Sequence, residues 1–296
     1  MQTTIAIALS VVAALLFAVA AVLQERGTQG LPDSGVGFFK GLVQRKVWLL
    51  GIAADIAGFA VQAGALAVGS LLLVQPLLVT TLLFALPLAA WTQKRRLTLR
   101  EWFWAAVLTA SLIVFIVVGE PAAGISSPSG GAWIIPIAIM IPAVAVCVVG
   151  SSRMRRGTAR SLVLAVAAGL LLGYSAPFTK TAMDAFGQSF LDGLASWEFW
   201  MMAVTATLGT LWQQSSYQAG DVQTSLPAVT VLKPIVAMVL GLTIYQETLN
   251  VGHVGDGVVL ASVVVMCLAT VALGRLSVPD DDGTTADSAP GAAVPD

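Results

Sequence analysis

Long apolar runs joined by short polar connections occupy most of the chain, a pattern typical of helices that cross a membrane. A membrane-spanning helix needs about 20 mostly apolar residues. About nine runs meet that length, at residues 4–24, 47–68, 70–91, 101–119, 132–150, 161–183, 197–218, 222–245 and 253–274. We therefore predict an all-α integral membrane protein with about nine transmembrane helices.

The composition supports this class. Of the 296 residues, 57% are hydrophobic and 10% are charged, whereas soluble domains carry about 25% charged residues. The mean hydropathy is +0.87. The first run lacks the basic segment that precedes the apolar part of a signal peptide, so we expect it to be retained as a span.

The basic residues predict the orientation of the spans. Thirteen of the fifteen lie in alternate connections: Arg26, Lys40, Arg45 and Lys46, then Lys94, Arg95, Arg96 and Arg100, then Arg153, Arg155, Arg156 and Arg160, and finally Arg275. Connections rich in Lys and Arg face the cytoplasm. We therefore predict a multi-pass plasma membrane protein with its N-terminus outside and its C-terminus inside.

An internal repeat links the two halves of the chain. The stretch "QAGALAVGSLLLVQP" (62–76) and the stretch "QQSSYQAGDVQTSLP" (213–227) share a glutamine, a glycine and a proline at one offset, 151 positions (213 minus 62). In the predicted topology the two copies cross the membrane in opposite directions. Inverted repeats of this kind are typical of secondary transporters.

The repeat divides the chain into four predicted segments. Residues 1–131 form a first repeat of four spans, residues 132–160 a linker span with a basic cytoplasmic loop, and residues 161–278 a second repeat of four spans. Residues 279–296 are acidic and rich in small residues, so we expect a disordered cytoplasmic tail. The linker span is needed because four spans alone would leave the second copy parallel to the first.

The two halves resemble the EamA-type repeats of the drug/metabolite transporter superfamily. The resemblance rests on an "ALAVG" turn, a proline-bearing helix, a connecting loop and a last helix rich in small residues. The span count and "VLQERG" after the first span are similar to the NIPA-type magnesium transporters of that superfamily. The resemblance covers about residues 4–274, and it implies a transporter without naming its substrate.

One departure from the family pattern concerns the loop glutamate. The second half carries it as Glu247 in "YQETL", whereas the first half reads "KRRLTL", with Arg95 or Arg96 at the corresponding place. If a metal path used this glutamate in both halves, only the second-half glutamate would be present in this chain.

Charged residues inside apolar runs are the first candidates for a substrate site. Lys233 lies in "VTVLKPIVAM", about ten residues into the eighth span, and Asp55 lies about two turns into the second. Gln62 follows Asp55 by seven residues and so shares its helical face. Because intramembrane charges are costly and mark functional sites, we predict that Asp55 and Lys233 meet a shared cavity between the repeats. An inert buried pair is the alternative.

Further polar residues and prolines complete the candidate set. Gln75, Gln213 and Gln214 are predicted either to contact a solute or to join helices by hydrogen bonds. Helix breaks are predicted at Pro76, Pro177, Pro227 and Pro234, since proline removes a backbone donor. Lys180 falls near the end of the sixth run, so we expect its ammonium to reach the outer interface.

The sequence carries no recognisable catalytic or nucleotide-binding motif. It has a single histidine, no metal-spaced His/Cys set, no phosphate-binding loop and no nucleophile beside a base. We expect no enzyme activity, no catalytic residue, no cofactor and no nucleic-acid partner. The expected partners are the lipid bilayer and a small solute, and the oligomeric state is open between a monomer and a homodimer.

Three functions are compatible with these features. The first is transport of an anionic or zwitterionic metabolite by alternating access, and the second is transport of magnesium with Asp55 as a metal ligand. Mg²⁺ prefers carboxylates, and a protonated Lys233 would repel it unless Asp55 neutralised the charge. The third is a non-transporting partner or sensor subunit, which the short loops disfavour.

Overall fold

The computed structural model describes residues 2–28, 44–220, 222–251 and 253–276. Within these ranges the chain forms eleven helices, two short strands and one 3₁₀ turn. The helices are α1 (Gln2–Thr28), α2 (Lys46–Val68), α3 (Leu71–Leu78), α4 (Thr81–Thr92), α5 (Leu99–Gly119), α6 (Ile134–Ser152), α7 (Thr158–Gln188), α8 (Phe190–Ala195), α9 (Trp197–Ala219), α10 (Val222–Thr243) and α11 (His253–Leu276). The predicted tail, 279–296, lies outside the described residues.

Membrane-length apolar helices account for most of the described chain. Eight helical segments are long and apolar enough to cross a membrane, with α3 and α4 together forming one of them. This confirms the prediction of an all-helical membrane protein. The remaining predicted span, α9, is 23 residues long but is less apolar because its second half carries several glutamines and serines. The total of nine spans therefore stays a prediction.

Glycines allow the helices of each half to approach closely. A side chain at Gly58 of α2 would meet Phe17 of α1 at 3.0 Å, and one at Gly209 of α9 would meet Leu172 of α7 at 2.8 Å. Small residues are favoured between membrane helices because lipid offers no hydrophobic driving force and close van der Waals packing must hold the helices together. Gly209 follows Gly58 by the same 151 positions as the repeat found in the sequence.

Helix α7 is the central element of the bundle. It packs against α2 of the first half, against the linker helix α6, and against α9 and α10 of the second half. Most of its residues from Ser161 to Ala182 are buried. A helix that is apolar all round and surrounded by others occupies the middle of the fold. The positions of the other elements are therefore described relative to α7.

Two glycine hairpins lie at opposite ends of α7. Gly69, between α2 and α3, accepts a hydrogen bond from Lys180 near the C-terminal end of α7. Gly220, which follows α9, packs against Gly157 at the start of α7. At 1.5 Å per helical residue these ends are about 34 Å apart, which is more than the roughly 30 Å hydrocarbon thickness of a bilayer.

A two-stranded antiparallel ribbon joins the connections that follow α5 and α10. Strand β1 (Pro121–Ala122) pairs with strand β2 (Thr248–Leu249). Beside the ribbon, a side chain at Gly124 would lie only 2.0 Å from the backbone oxygen of Tyr245, so this approach requires glycine. The ribbon ties the last loop of one half to the last loop of the other.

The prolines do not break their helices as predicted, with one exception. Helix α7 continues through Pro177, and α10 continues through both Pro227 and Pro234. The prediction of a break is wrong at these three positions, because loss of one backbone donor is tolerated where neighbouring helices hold the segment in place. Only Pro76 is followed by a helix end, at Leu78, two residues beyond it.

Candidate functional site

The N-terminus of α3 is bound by a side chain from the other half of the chain. Ser70 caps the helix by accepting a hydrogen bond from the Leu73 amide at 3.2 Å. The amides of Leu71 and Leu72 belong to the first turn, so they have no acceptor within their own helix. They donate instead to Oε1 and Oε2 of Glu247, at 2.8 and 2.9 Å.

Lys180 completes this arrangement from α7. Its Nζ lies 2.6 Å from Oε1 of Glu247 and donates to the Gly69 carbonyl oxygen at 3.1 Å. The two side chains are only 7% and 0% exposed. The carboxylate thus receives two amides and one ammonium, and its charge is well compensated despite its burial. We call the set Gly69, Leu71, Leu72, Lys180 and Glu247 the latch.

The prediction that Lys180 reaches the outer interface is therefore wrong. The predicted sixth span ended at residue 183, but α7 continues to Gln188 and carries Lys180 inside the bundle. Because its side chain is buried between helices, the Lys180 ammonium does not reach water. It needs a buried anion, and Glu247 provides one.

An aromatic cluster surrounds the latch. The Tyr245 ring lies 5.2 Å from Nζ of Lys180, within the range of a cation–π interaction. Its hydroxyl donates to the Pro177 oxygen at 2.5 Å. Trp133 stacks on Phe178 with ring centroids 4.5 Å apart and is fully buried. The buried rings give the ion pair an apolar environment.

Asp55 lies on the interior face of α2 near the middle of the bundle. Gly51, Gly58 and Gln62, spaced four, three and seven residues from it along one face of the helix, are buried against neighbouring elements. Asp55 is exposed although it shares that face. Since the exposed face of α2 is on the opposite side, we infer that Asp55 borders an opening within the bundle rather than the acyl chains.

Lys233 occupies the corresponding interior face of α10. It shares this face with the buried residues Val229, Ala237 and Leu240 and is itself half-buried. Asp55 and Lys233 interact electrostatically, but within the described ranges neither makes an ion pair or a side-chain hydrogen bond. The structure thus brings the two predicted charges toward one another without joining them directly.

The four candidate glutamines fall into two groups. Gln62 and Gln75 are buried, at 3% and 1% exposure, and the Gln75 amide nitrogen has no acceptor among the described residues. Gln213 donates to the Tyr217 hydroxyl at 2.6 Å, and Gln214 lies on the exposed face of α9. Gln75 therefore has an unused donor in the interior, whereas Gln214 lies away from it.

The first-half counterpart of Glu247 is Arg95. The residues before them, Lys94 and Gln246, both adopt left-handed backbone conformations, with φ of 54° and 52°. Arg95 binds both carboxylate oxygens of Glu101 at 3.1 and 2.9 Å, so it pairs within its own half. The loops are alike in backbone, but only Glu247 reaches across to the other half.

Comparison with known proteins shows one clear relationship. The chain is 37% identical over 239 residues to an uncharacterized protein of Corynebacterium glutamicum, and the match covers 78% of this chain and 80% of the relative. This chain belongs to the family of that protein. No family model and no solved structure matches it. The activity of this family member has to be argued from its site.

Sequence reasoning found the mid-depth residues of this family member but missed the latch. Glu247 was noticed only as a loop residue, and Lys180 was placed at an interface. One signal was available: Lys180 and Lys233 are the two basic residues that fall outside the basic connections. Each cationic residue inside an apolar run needs an acidic partner, and a search for such partners would have pointed to Glu247.

Proposed function

We propose that this protein is a secondary transporter that carries a small anionic or zwitterionic solute across the plasma membrane by alternating access. Lys233 is the observation that carries the proposal. It lies near the middle of α10, on an interior face, with no hydrogen bond or ion pair among the described residues. Such a charge is costly unless water or a solute meets it.

The positions of the hairpins support an inverted-repeat transporter. Gly69 and Gly220 are related by the repeat offset, and they lie at opposite ends of α7. The partners also follow the offset, because Gly69 packs against Ala6 and Gly220 against Gly157. Transporters built from such copies hold the solute near the midplane between them, and we propose that Asp55 and Lys233 line this site.

The packing of α6 supports its role as the linker between repeats. It packs mainly on α7, whereas α1 and α2 pack together in the first half as α7 and α9 do in the second. These matched pairs suit the proposed EamA-like architecture of the drug/metabolite superfamily. We propose that one repeat rocks against the other, with α6 moving as an attachment to α7.

The charges favour a solute that carries a carboxylate or a similar anion. Lys233 offers an ammonium, and Gln75 offers a buried amide donor on α3, which packs against α10. Asp55 adds an accessible carboxylate that suits a solute amine. A zwitterionic solute would satisfy all three groups, whereas a simple cation would satisfy only one.

The latch is the proposed gate at the end that carries Gly69. It joins the first half, through Leu71 and Leu72, to Glu247 of the second half. Opening a path from this end requires Glu247 to leave the two amides. Since these bonds are made only when the halves are together, the latch stabilises the state in which this end is closed.

Magnesium is the alternative cargo, and the accessibility of Asp55 is the observation that favours it. Three or more His, Cys, Asp or Glu side chains do not gather anywhere in the described part of the chain. Mg²⁺ binds through one or two carboxylates and retained waters, so Asp55 alone would have to hold it opposite Lys233. The ammonium of Lys233 would repel the ion.

Uptake by proteoliposomes tests the proposed function. We expect purified protein to exchange amino acids or small organic anions, and to give no Mg²⁺ flux above empty liposomes. Radiolabelled solutes and a Mg²⁺-sensitive dye inside the vesicles measure the two activities. Robust Mg²⁺ flux without any response to the organic panel would replace this proposal by the magnesium alternative.

Cysteine labelling tests the proposed orientation. In a background with Cys147 and Cys267 replaced by alanine, cysteines at the half-buried position Arg95 and the exposed position Arg155 should react only from the cytoplasmic side. A cysteine at Ser126, in the connection between α5 and α6, should react only from outside. A membrane-impermeant maleimide on intact cells measures this. Reaction of position 155 from outside would contradict the topology.

A further inference from the structure

A polar cavity lies where α6 ends, α7 begins and α9 ends. Its volume is about 340 Å³, and its polar or aromatic lining includes Ser151, Ser152, Arg156, Arg160, Trp212 and Gln218. Neither the latch residues nor Asp55 and Lys233 contribute to it. It is therefore distinct from the proposed transport path.

Among the residues that the structure describes, no acidic side chain compensates the charge of this cavity. Arg156 and Arg160 line it, and the lining includes no aspartate or glutamate. Within the described residues neither arginine makes an ion pair. Two guanidinium groups at one cavity repel each other unless an anion lies between them.

Arg160 carries an unused buried donor. Its Nε is buried without any hydrogen-bond acceptor in the described part of the chain. Nearly all buried nitrogen donors in folded proteins are satisfied by protein, water or a ligand. A guanidinium presents its donors as a planar fork that matches the oxygens of a phosphate.

The serines of the cavity complement an anion that also carries a proton. The hydroxyls of Ser151 and Ser152 donate to carbonyl oxygens one turn back in α6, at 2.7 Å each. Their lone pairs remain available as acceptors. A phosphate monoanion has oxygens that accept hydrogen bonds from the arginines. It also has a hydroxyl that can donate a hydrogen bond to a serine oxygen.

We propose that this cavity binds a phosphate group, presented either by an anionic lipid headgroup or by a soluble phosphate. Arg160 and Arg156 hold the oxygens as charge-assisted hydrogen bonds, and the gap between α6 and α7 is filled by the ligand. The proposal does not depend on what the protein transports.

Binding in nanodiscs tests this site and separates the two sources. One arm places the full chain in nanodiscs that contain phosphatidylglycerol and counts retained lipid by native mass spectrometry. The other uses phosphatidylcholine nanodiscs and measures binding of radiolabelled inorganic phosphate. We expect Arg160→Gln to bind about tenfold more weakly in at least one arm, because it removes charge-assisted hydrogen bonds.

Arg155→Gln is the matched control, since Arg155 is exposed in the same loop but does not line the cavity. It should bind as the wild type does. Arg156→Gln, at an exposed position, repeats the test if Arg160→Gln does not fold. Loss in the lipid arm identifies a headgroup, and loss in the phosphate arm identifies a soluble ligand. Equal binding by wild type and by both cavity variants in both arms would overturn the proposal.

Discussion

Glu247→Gln is expected to lower the free energy of unfolding by about 3 to 5 kcal/mol, the usual cost of removing one partner from a buried ion pair. The substitution keeps the shape of the side chain but leaves the Lys180 ammonium without its anion. One amide of Leu71 or Leu72 would then face the NH₂ group of the new side chain in place of a carboxylate oxygen. The cost is large because none of these groups can reach water.

Thermal unfolding in nanodiscs measures this effect. Glu120→Gln is the control, because it removes the same charge from an exposed side chain at the same end of the bundle. This control variant should unfold at the same temperature as the wild type. The double variant Lys180→Met/Glu247→Gln should recover part of the loss, since neither charge is then left alone. Equal melting of wild type and Glu247→Gln would show that the latch contributes nothing to stability.

Lys233→Met is expected to abolish uptake of the organic solute, by at least about a hundredfold, while the protein remains folded. A charge-assisted hydrogen bond to a solute anion is worth about 1.5 to 3 kcal/mol, and the long-range attraction of a half-buried ammonium adds to it. Folding is spared because Lys233 has no direct partner among the described residues that its removal would orphan. Lys233→Arg should retain part of the activity, since it keeps the charge.

The comparison with Lys180 makes this prediction specific. Lys180→Met changes the same residue type inside the membrane but removes the partner of Glu247, so it should lower the melting temperature where Lys233→Met does not. Uptake is measured in the proteoliposomes already described. If Lys233→Met left uptake of the organic solute unchanged, Lys233 would not contact it. If Asp55→Asn abolished Mg²⁺ flux while Lys233→Met raised it, the magnesium alternative would be correct.

The two lysines differ in the groups that hold them. Lys180 is bound by a carboxylate and a carbonyl oxygen, and it stabilises one arrangement of the two halves. Lys233 is opposite Asp55 without contact, and it remains available. In the proposed transporter the first charge would favour a closed state and the second would meet the solute.

Much of the fold could be predicted from the sequence because the pattern that carries it is local. The length of an apolar run decides whether a helix can cross the membrane, and neighbouring residues alone set that length. The same holds for the shared face of Asp55 and Gln62, which follows from helical periodicity. The hairpin glycines Gly69 and Gly220 were also visible, because the repeat places them at one offset.

The latch was decided only by the tertiary structure. Glu247 meets Leu71 across 176 positions and Lys180 across 67, and no local pattern encodes which helices pack together. The interface prediction for Lys180 failed for a related reason, since α7 continues past the end of the apolar run. By itself the sequence determined the membrane class, the positions of most spans and which residues would be costly in lipid. The packing of α7 against both halves determined which of those residues became paired and which remained open, because a buried charge is stabilised by whatever the fold brings beside it.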